Sequence, residues 1–304
     1  MDANALSWLE RFQRFMTSER RLSPHTCSNY ARELAALVEY CDRNQVKAWQ
    51  TLDNQHLRMF AARSHAAGLG PRSVQRRLCA ARSFFRYLIR EQVLKLNPGT
   101  DIRAPKAARR LPHTLDSDQM GRLLDINPNK PLAVRDLALM ELFYSSGLRL
   151  AELVDLNMGD IDLRDRTVRI TGKGRKTRIV PVGRKAAEAM LKWNQQRGSV
   201  AKPDDNAIFV GRNGSRMGSR AIQKRVALWA RRQGLKMNVH PHLFRHSFAT
   251  HLLESSQDLR GVQELLGHAD ISTTQVYTHL DFQHLAKVYD KTHPRARRRA
   301  SAKR

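Results

Sequence analysis

Residues 99–113, GTDIRAPKAARRLPH, interrupt a chain that is otherwise mostly helix-patterned, with two prolines, no apolar period and a run of basic residues. Such a stretch cannot be the middle of a helix or of a central strand, because proline fixes φ and lacks a backbone donor. It predicts a linker. The chain has 304 residues, enough on either side of the linker for a domain with its own core. The expected organisation is a helical domain over 1–98, the linker over 99–113, a second domain over 114–290 and a basic tail over 291–304.

The first domain reads as all helix. Ser23-Pro24 is a capped start for PHTCSNYARELAALVEYC, where Tyr30, Leu34, Leu37 and Val38 keep a helical period. Gly70-Pro71 opens PRSVQRRLCAARSFFRYLIREQVL, and Asn97-Pro98 is expected to close it. Val74, Leu78, Ala81, Phe85 and Leu88 make the apolar stripe of this helix, with Arg72, Arg76, Arg86 and Arg90 on its flanks. Few acids stand nearby to pair those arginines, so they are read as phosphate contacts rather than as an ordinary solvated face.

The second domain begins near Thr114 with two helices, LDSDQMGRLLDI and LAVRDLALMELFYSSG, the latter stopped by Gly147. LRLAELVDL then places Arg149 in the turn at a helix start, where an anion would meet a guanidinium and free backbone N–H groups. Residues 160–182, DIDLRDRTVRITGKGRKTRIVPV, switch to alternation around a Gly-Lys-Gly-Arg-Lys tip. That pattern predicts a small antiparallel sheet with one basic hairpin. Its Thr171-Gly172-Lys173 lacks the spacing of a nucleotide-binding P-loop. Helix AAEAMLKWNQQRG follows, then AIFVG as a candidate edge strand, the Gly-rich GRNGSRMGSR, and the basic helix RAIQKRVALWARRQG. Gln223, Lys224 and Arg225 on that last helix are candidates for major-groove contact. The fold class is therefore mainly α with a small antiparallel β-sheet in the second domain (α+β).

Charge narrows the partners. There are 54 Lys and Arg against 28 Asp and Glu, a formal +26, which points to nucleic acid as the polyanion bound. The rival is a basic amphipathic membrane protein, but no run of about 18 apolar residues and no signal peptide are present. A soluble cytoplasmic protein with no membrane association is expected. Cys27, Cys41 and Cys79 lack metal-type spacing and are read as buried free thiols.

The stretch His240–Leu280 concentrates the chemistry. Pro241 suits a first helical turn, so His242 and Arg245, three apart, share a face that can grip an anion. DLRGVQELL should stop at Gly267 and leave His268 on a rigid corner, and Asp270 should cap ISTTQVYTH, which carries Tyr277. A cation, two imidazoles and a phenol together suit attack of a tyrosine hydroxyl on a phosphodiester. Guanidinium forks pair with the non-bridging oxygens, and a phenol of pKa ~10 needs a base or strong positive potential to react near neutral pH. Eight of the 12 histidines fall at or after His240, which raises zinc as a rival, but H-x-x-x-H at His242 and His246 lacks the glutamate of H-E-x-x-H and a third ligand. No metal and no cofactor are expected, and His246 and His251 are read as structural.

The runs H-x-L-F-R-H-S-F-A-T-H, L-L-G-H and Y-T-H, with S-G-L-R-x-x-E upstream, resemble the tyrosine recombinase (phage integrase) family, in particular its bacterial Xer branch, and the resemblance spans nearly the whole chain. It implies a two-domain C-shaped DNA clamp, with a helical core-binding domain and a catalytic domain. It also implies an active site of Arg149, Lys173, His242, Arg245, His268 and Tyr277. In that family pattern Tyr277 attacks the phosphate, Arg149 and Arg245 hold its oxygens, and His242 assists proton removal. His268 hydrogen-bonds the phosphate, Lys173 protonates the leaving 5′ oxygen and Glu152 supports the site. The implied partners are a double-stranded DNA recombination site, a XerD-like recombinase in a two-plus-two heterotetramer, and a division-associated DNA translocase, with chromosome partition at cell division as the setting. The rivals are a phage or transposon integrase, disfavoured by a chain that opens directly on the helical domain, a type IB topoisomerase, and a non-catalytic DNA-binding protein.

Overall fold

The computed structural model describes residues 1–106, 114–172 and 177–256. It divides into two compact units, Met1–Leu111 and Pro112–Arg304.

The first unit is helical: α1 (Ala3–Ser18), α2 (Pro24–Arg43), α3 (Asn54–Ala66) and α4 (Pro71–Arg90), with a 3₁₀ turn at Trp49–Thr51. The starts follow local chemistry. Ser23 accepts from the Thr26 N–H at 3.2 Å with Pro24 in the first turn, Asp53 and His56 form a capping box, and Pro71 opens α4 after Gly70. The expected end of α4 is too late, however. The helix closes at Arg90 because Gln92 takes a left-handed φ of 59°, and Val93 N–H then bonds Leu88 O at 2.8 Å while Gln92 N–H bonds Ile89 O at 3.0 Å. This is a Schellman closure on a residue other than glycine.

Phe12, Trp49, Phe84 and Phe85 fill the core, with the Trp49 and Phe84 rings 4.9 Å apart and Trp49 Nε1 donating to Ala5 O at 2.7 Å. Two of the four flanking arginines of α4 are already paired. Arg76 Nε binds the buried Glu33 at 2.8 Å, and Arg90 binds Glu19 at 2.9 Å while lying over Phe15. Arg72 and Arg86 are exposed and have no acidic partner among the described residues, so only these two keep the character first read into all four. Arg82 Nε donates to Gly99 O at 2.6 Å and its Nη2 to Ile102 O, holding that segment to α4 with Ile102 buried. Of the cysteines only Cys41 is buried; Cys27 is half-buried and Cys79, one position past the stripe residue Leu78, faces out.

The second unit is built on α6 (Pro131–Ser146), which is buried almost all round from Val134 to Ser146 and ends at Gly147 with φ 55°. Around it lie α5 (Ser117–Leu124), α8 (Arg184–Arg197), α9 (Ser219–Arg232) and α10 (Pro241–Ser256), with the short α7 (Leu150–Asp155) following the glycine. The strands β1 (Ile161–Asp162), β2 (Thr167–Thr171) and β3 (Thr177–Pro181) form an antiparallel sheet in that order, with Val168 opposite Val180 and Ile170 opposite Arg178. The fold is thus mainly α with one small antiparallel sheet, as its patterning implies.

AIFVG does not extend that sheet. Ala207–Val210 are buried but make only isolated bridges to Asn157 and Arg216, because Ile208 N–H bonds Leu156 O after α7 and Phe209 O accepts from Met217 in the Gly-rich loop. Arg225 likewise has a partner: its Nε and Nη2 bind the fully buried Asp136 of α6 at 2.6 and 2.5 Å, beside Arg135 and Trp229 Nε1. It anchors α9, and removing one member of such a buried pair costs about 3–5 kcal/mol. Gln223 and Lys224 are left as the exposed pair. Among the described residues no helix is long and apolar enough to cross a membrane.

Candidate active site

Arg149 stands at the N-cap of α7, directly after the Gly147 turn, and its side chain is 44% exposed. Three residues on, one turn of helix away, is Glu152, whose side chain is only 6% exposed. Arg149 Nη1 donates to Glu152 Oε1 at 2.9 Å and the Arg149 N–H to Oε2 at 2.8 Å. The N–H of Arg149 at this helix start is therefore taken by Glu152, and it is the guanidinium that Arg149 can present to an anion.

From β3, Arg178 reaches the same carboxylate with both terminal nitrogens, Nη1 to Oε1 at 2.8 Å and Nη2 to Oε2 at 2.9 Å. Burial would push Glu152 up, but the hydrogen bonds from Arg178 and Arg149 outweigh it and hold the carboxyl below its usual range. Glu152 is an anion near neutral pH, so it orients the arginines and transfers no proton.

Arg245 arrives from α10, half-buried, with Nη1 donating to Gly147 O at 2.6 Å. That carbonyl lies at the C-terminal end of α6, where helix carbonyls lack intrahelical donors and the dipole is negative. One glycine thus turns the chain toward Arg149 and supplies the acceptor that fixes Arg245. Burial first, and then the positive charge of Arg149, push Arg245 down to about 10. It stays protonated at neutral pH, in a site where two like charges feel each other and an entering anion relieves both.

His242, three residues before Arg245 on α10, is exposed, with its ring 6.2 Å from that of His240. His251, nine residues on from His242, is buried and bonds Tyr144 of α6 through Nδ1 at 2.7 Å, while Ser247 Oγ accepts from the Leu115 N–H at 2.9 Å. Burial holds the His251 imidazole below its usual range, consistent with a neutral structural histidine that pins α10 to α6. Among the described residues no three His, Cys, Asp or Glu side chains come together at metal-binding distance.

Of the six residues singled out in the sequence, Arg149 and Arg245 come together around Glu152 and Gly147, and His242 stands exposed one helical turn before Arg245 on α10, whereas Lys173, His268 and Tyr277 lie outside the described residues. Arg178 was not among the six. The signal for it was present: in TRIVP the strand alternation puts Arg178 on the face of Val180, opposite the buried Ile170, so a charge occupies an inward register position.

Residues 113–284 match the model of the phage integrase family, and residues 9–92 match that of the phage integrase N-terminal SAM-like domain. Tyrosine recombinase XerC of Haemophilus ducreyi is 52% identical over 285 residues, covering 94% of this chain and 93% of that protein. Tyrosine recombinase XerC of Pseudomonas syringae pv. syringae is 52% identical over 295 residues, covering 97% and 98%. In fold, the chain resembles the XerH site-specific recombinase bound to a palindromic difH substrate, with a TM-score of 0.72 at 23% identity over 94% of this chain and 95% of that one. The Xer resemblance read from the motifs is borne out, and the chain belongs to the phage integrase family, the tyrosine recombinases.

Proposed function

We propose that this chain is a site-specific DNA recombinase that exchanges strands through a 3′-phosphotyrosyl intermediate, with Tyr277 as the nucleophile. The observation that carries the reading is the charge of the cluster. Among the described residues, Arg149, Arg178 and Arg245 are three cations around one anion, Glu152, so these four side chains carry a net charge of +2. The pentacoordinate transition state of phosphoryl transfer bears two negative charges against one in the starting diester. A preorganised +2 site therefore favours the transition state over the ground state.

In the proposed sequence Tyr277 Oη attacks the scissile phosphorus while His242 assists removal of its proton. Arg149 and Arg245 hold the two non-bridging oxygens, His268 hydrogen-bonds one of them, and Lys173 protonates the 5′ oxygen as its bond to phosphorus breaks. The free 5′-hydroxyl of a second duplex then attacks the phosphotyrosine and releases the enzyme. One phosphodiester replaces another, so the cycle needs no ATP, and the guanidiniums and lysine carry the charge that a metal ion carries elsewhere.

Relatives named XerC support a finer reading: a DNA clamp formed by a helical domain and a catalytic domain, acting in the cytoplasm with a XerD-like recombinase as a two-plus-two heterotetramer. Its task would be resolution of chromosome dimers at division, under a division-associated DNA translocase. The test uses a DNA site selected by the chain from random sequence, placed twice on a supercoiled plasmid, with a XerD-like partner and EDTA. Recombinant circles are expected without ATP or divalent ions. Relaxation without exchange would identify a type IB topoisomerase, binding without breakage a DNA-binding protein, and breakage only with a divalent ion would end the phosphotyrosyl reading.

Lys173→Ala should slow covalent adduct formation by about 10²–10⁴-fold, the range for loss of a general acid. Replacing the leaving 5′ oxygen by sulfur, a far better leaving group, should restore the rate. A defect that persists with the sulfur substrate would remove Lys173 from the role of acid.

A further inference from the structure

Arg178 is spent wholly on Glu152. Both terminal nitrogens bond the carboxylate, at 2.8 and 2.9 Å, and its Nε is buried without a hydrogen-bond partner among the described residues. Its side chain is 19% exposed, against 44% for Arg149 across the same acid. Two guanidiniums thus share one carboxylate, and only one of them is open to solvent.

The sharing matters because Glu152 is close enough to neutralise Arg149. A lone Arg149–Glu152 pair carries no net charge. With Arg178 the group carries +1, and the surplus lies toward Arg149, the accessible end. We infer that Arg178 is a positioning residue for strand cleavage: by dividing the charge of Glu152 it lets that acid hold Arg149 in place while leaving Arg149 cationic toward the scissile phosphate. The inference rests on the phosphoryl-transfer reading above. It assigns to a residue of β3 a task that needs its charge more than its shape. Arg178 is the second residue of β3, two positions after Lys176 in the sequence, so the arginine platform is tied to the strand that follows the Gly-Lys-Gly-Arg-Lys run.

Three variants of the full chain separate charge from shape. Arg178→Gln lowers the cluster from +2 to +1. Arg178→Lys keeps +2 without the bidentate fork. The double variant Arg178→Gln, Glu152→Gln also keeps +2, because the acid leaves with the cation. Two readouts are taken: the dissociation constant for orthovanadate by calorimetry, and the rate of covalent adduct formation at saturating enzyme on a nicked suicide duplex.

Arg178→Gln should weaken vanadate and slow the adduct, each on the order of 10-fold or more, with duplex binding nearly unchanged. Arg178→Lys should stay within roughly three-fold of the unsubstituted chain in both readouts, and the double variant, which restores the charge but gives up the hold of Glu152 on Arg149, should be at least about three-fold better than Arg178→Gln in both. If the double variant is no better than Arg178→Gln, or Arg178→Lys is as poor, Arg178 acts only by geometry and the inference is overturned. Should Arg178→Gln fail to fold, Arg178→Lys still decides, since a loss beyond about 10-fold in it contradicts a role carried by charge. A chain that binds vanadate in this order but forms no adduct retains the role of Arg178 and loses the recombinase reading. Adducts formed with vanadate affinity unchanged in Arg178→Gln do the reverse.

Discussion

Tyr277→Phe abolishes covalent attachment to a nicked suicide duplex, while the affinity of the chain for that duplex stays within about two-fold of the unsubstituted value. The substitution removes one oxygen and keeps the ring, so whatever packing the side chain makes is preserved. It leaves the cations that bind phosphate in place. A phenylalanine has no lone pair to offer phosphorus, and water lacks the covalent tether that would let the second strand reverse the step. Tyr289 serves as the internal comparison, because it lies beyond the Y-T-H motif and Tyr289→Phe should form adduct at the unsubstituted rate. The measurement is a denaturing gel of protein-linked DNA after one turnover. An adduct that survives Tyr277→Phe and disappears in Tyr289→Phe would move the nucleophile to Tyr289 and with it the assigned motif.

Helix starts were legible because their chemistry is local. Ser23-Pro24, Gly70-Pro71 and the Gly147 terminator each act within a turn of the residue that reveals them, and the β2–β3 alternation needs only its own strands. The end of α4 was not legible, since nothing about Gln92 in sequence marks it as left-handed where glycine is the usual choice. Charge partners were the least legible feature. Arg76 finds Glu33 from 43 residues away, Arg90 finds Glu19 from 71, and Arg225 finds Asp136 from 89, so a count of nearby acids along the chain overstated how many arginines remain free for DNA.

The candidate site divides along the same line. Arg149 and Arg245 were recognisable by motif, and Glu152 by its spacing from Arg149. What holds them could not be read locally: the Gly147 carbonyl lies 98 residues from Arg245, and Arg178 lies 26 from Glu152. Those two contacts turn three motif residues into a fixed platform.

The Gly147 contact gives Arg245→Lys a large expected effect. A guanidinium has five donors in a planar fork, so Arg245 can give Nη1 to Gly147 O at 2.6 Å and still present other N–H groups to phosphate. An ammonium on a flexible stem cannot do both. Burial and the charge of Arg149 already push Arg245 down to about 10, which leaves an arginine fully charged at neutral pH. A lysine starts from ~10.4 rather than above 12, so the same burial and the same neighbour drive it toward neutrality in the working range. Adduct formation by Arg245→Lys should therefore fall about 10²–10³-fold at pH 7.5, the scale for losing one oriented donor to the transition state, while duplex binding falls far less. The sign of the pH dependence follows from which form is active. The protonated lysine is required, so the variant should lose rate steadily as pH rises from 6.5 to 9, whereas the unsubstituted chain should show no such loss assignable to Arg245. Single-turnover rates across that range decide the matter: a variant within three-fold of the unsubstituted chain, with a parallel pH profile, would mean that the Gly147 clasp and the fork of Arg245 have no part in cleavage.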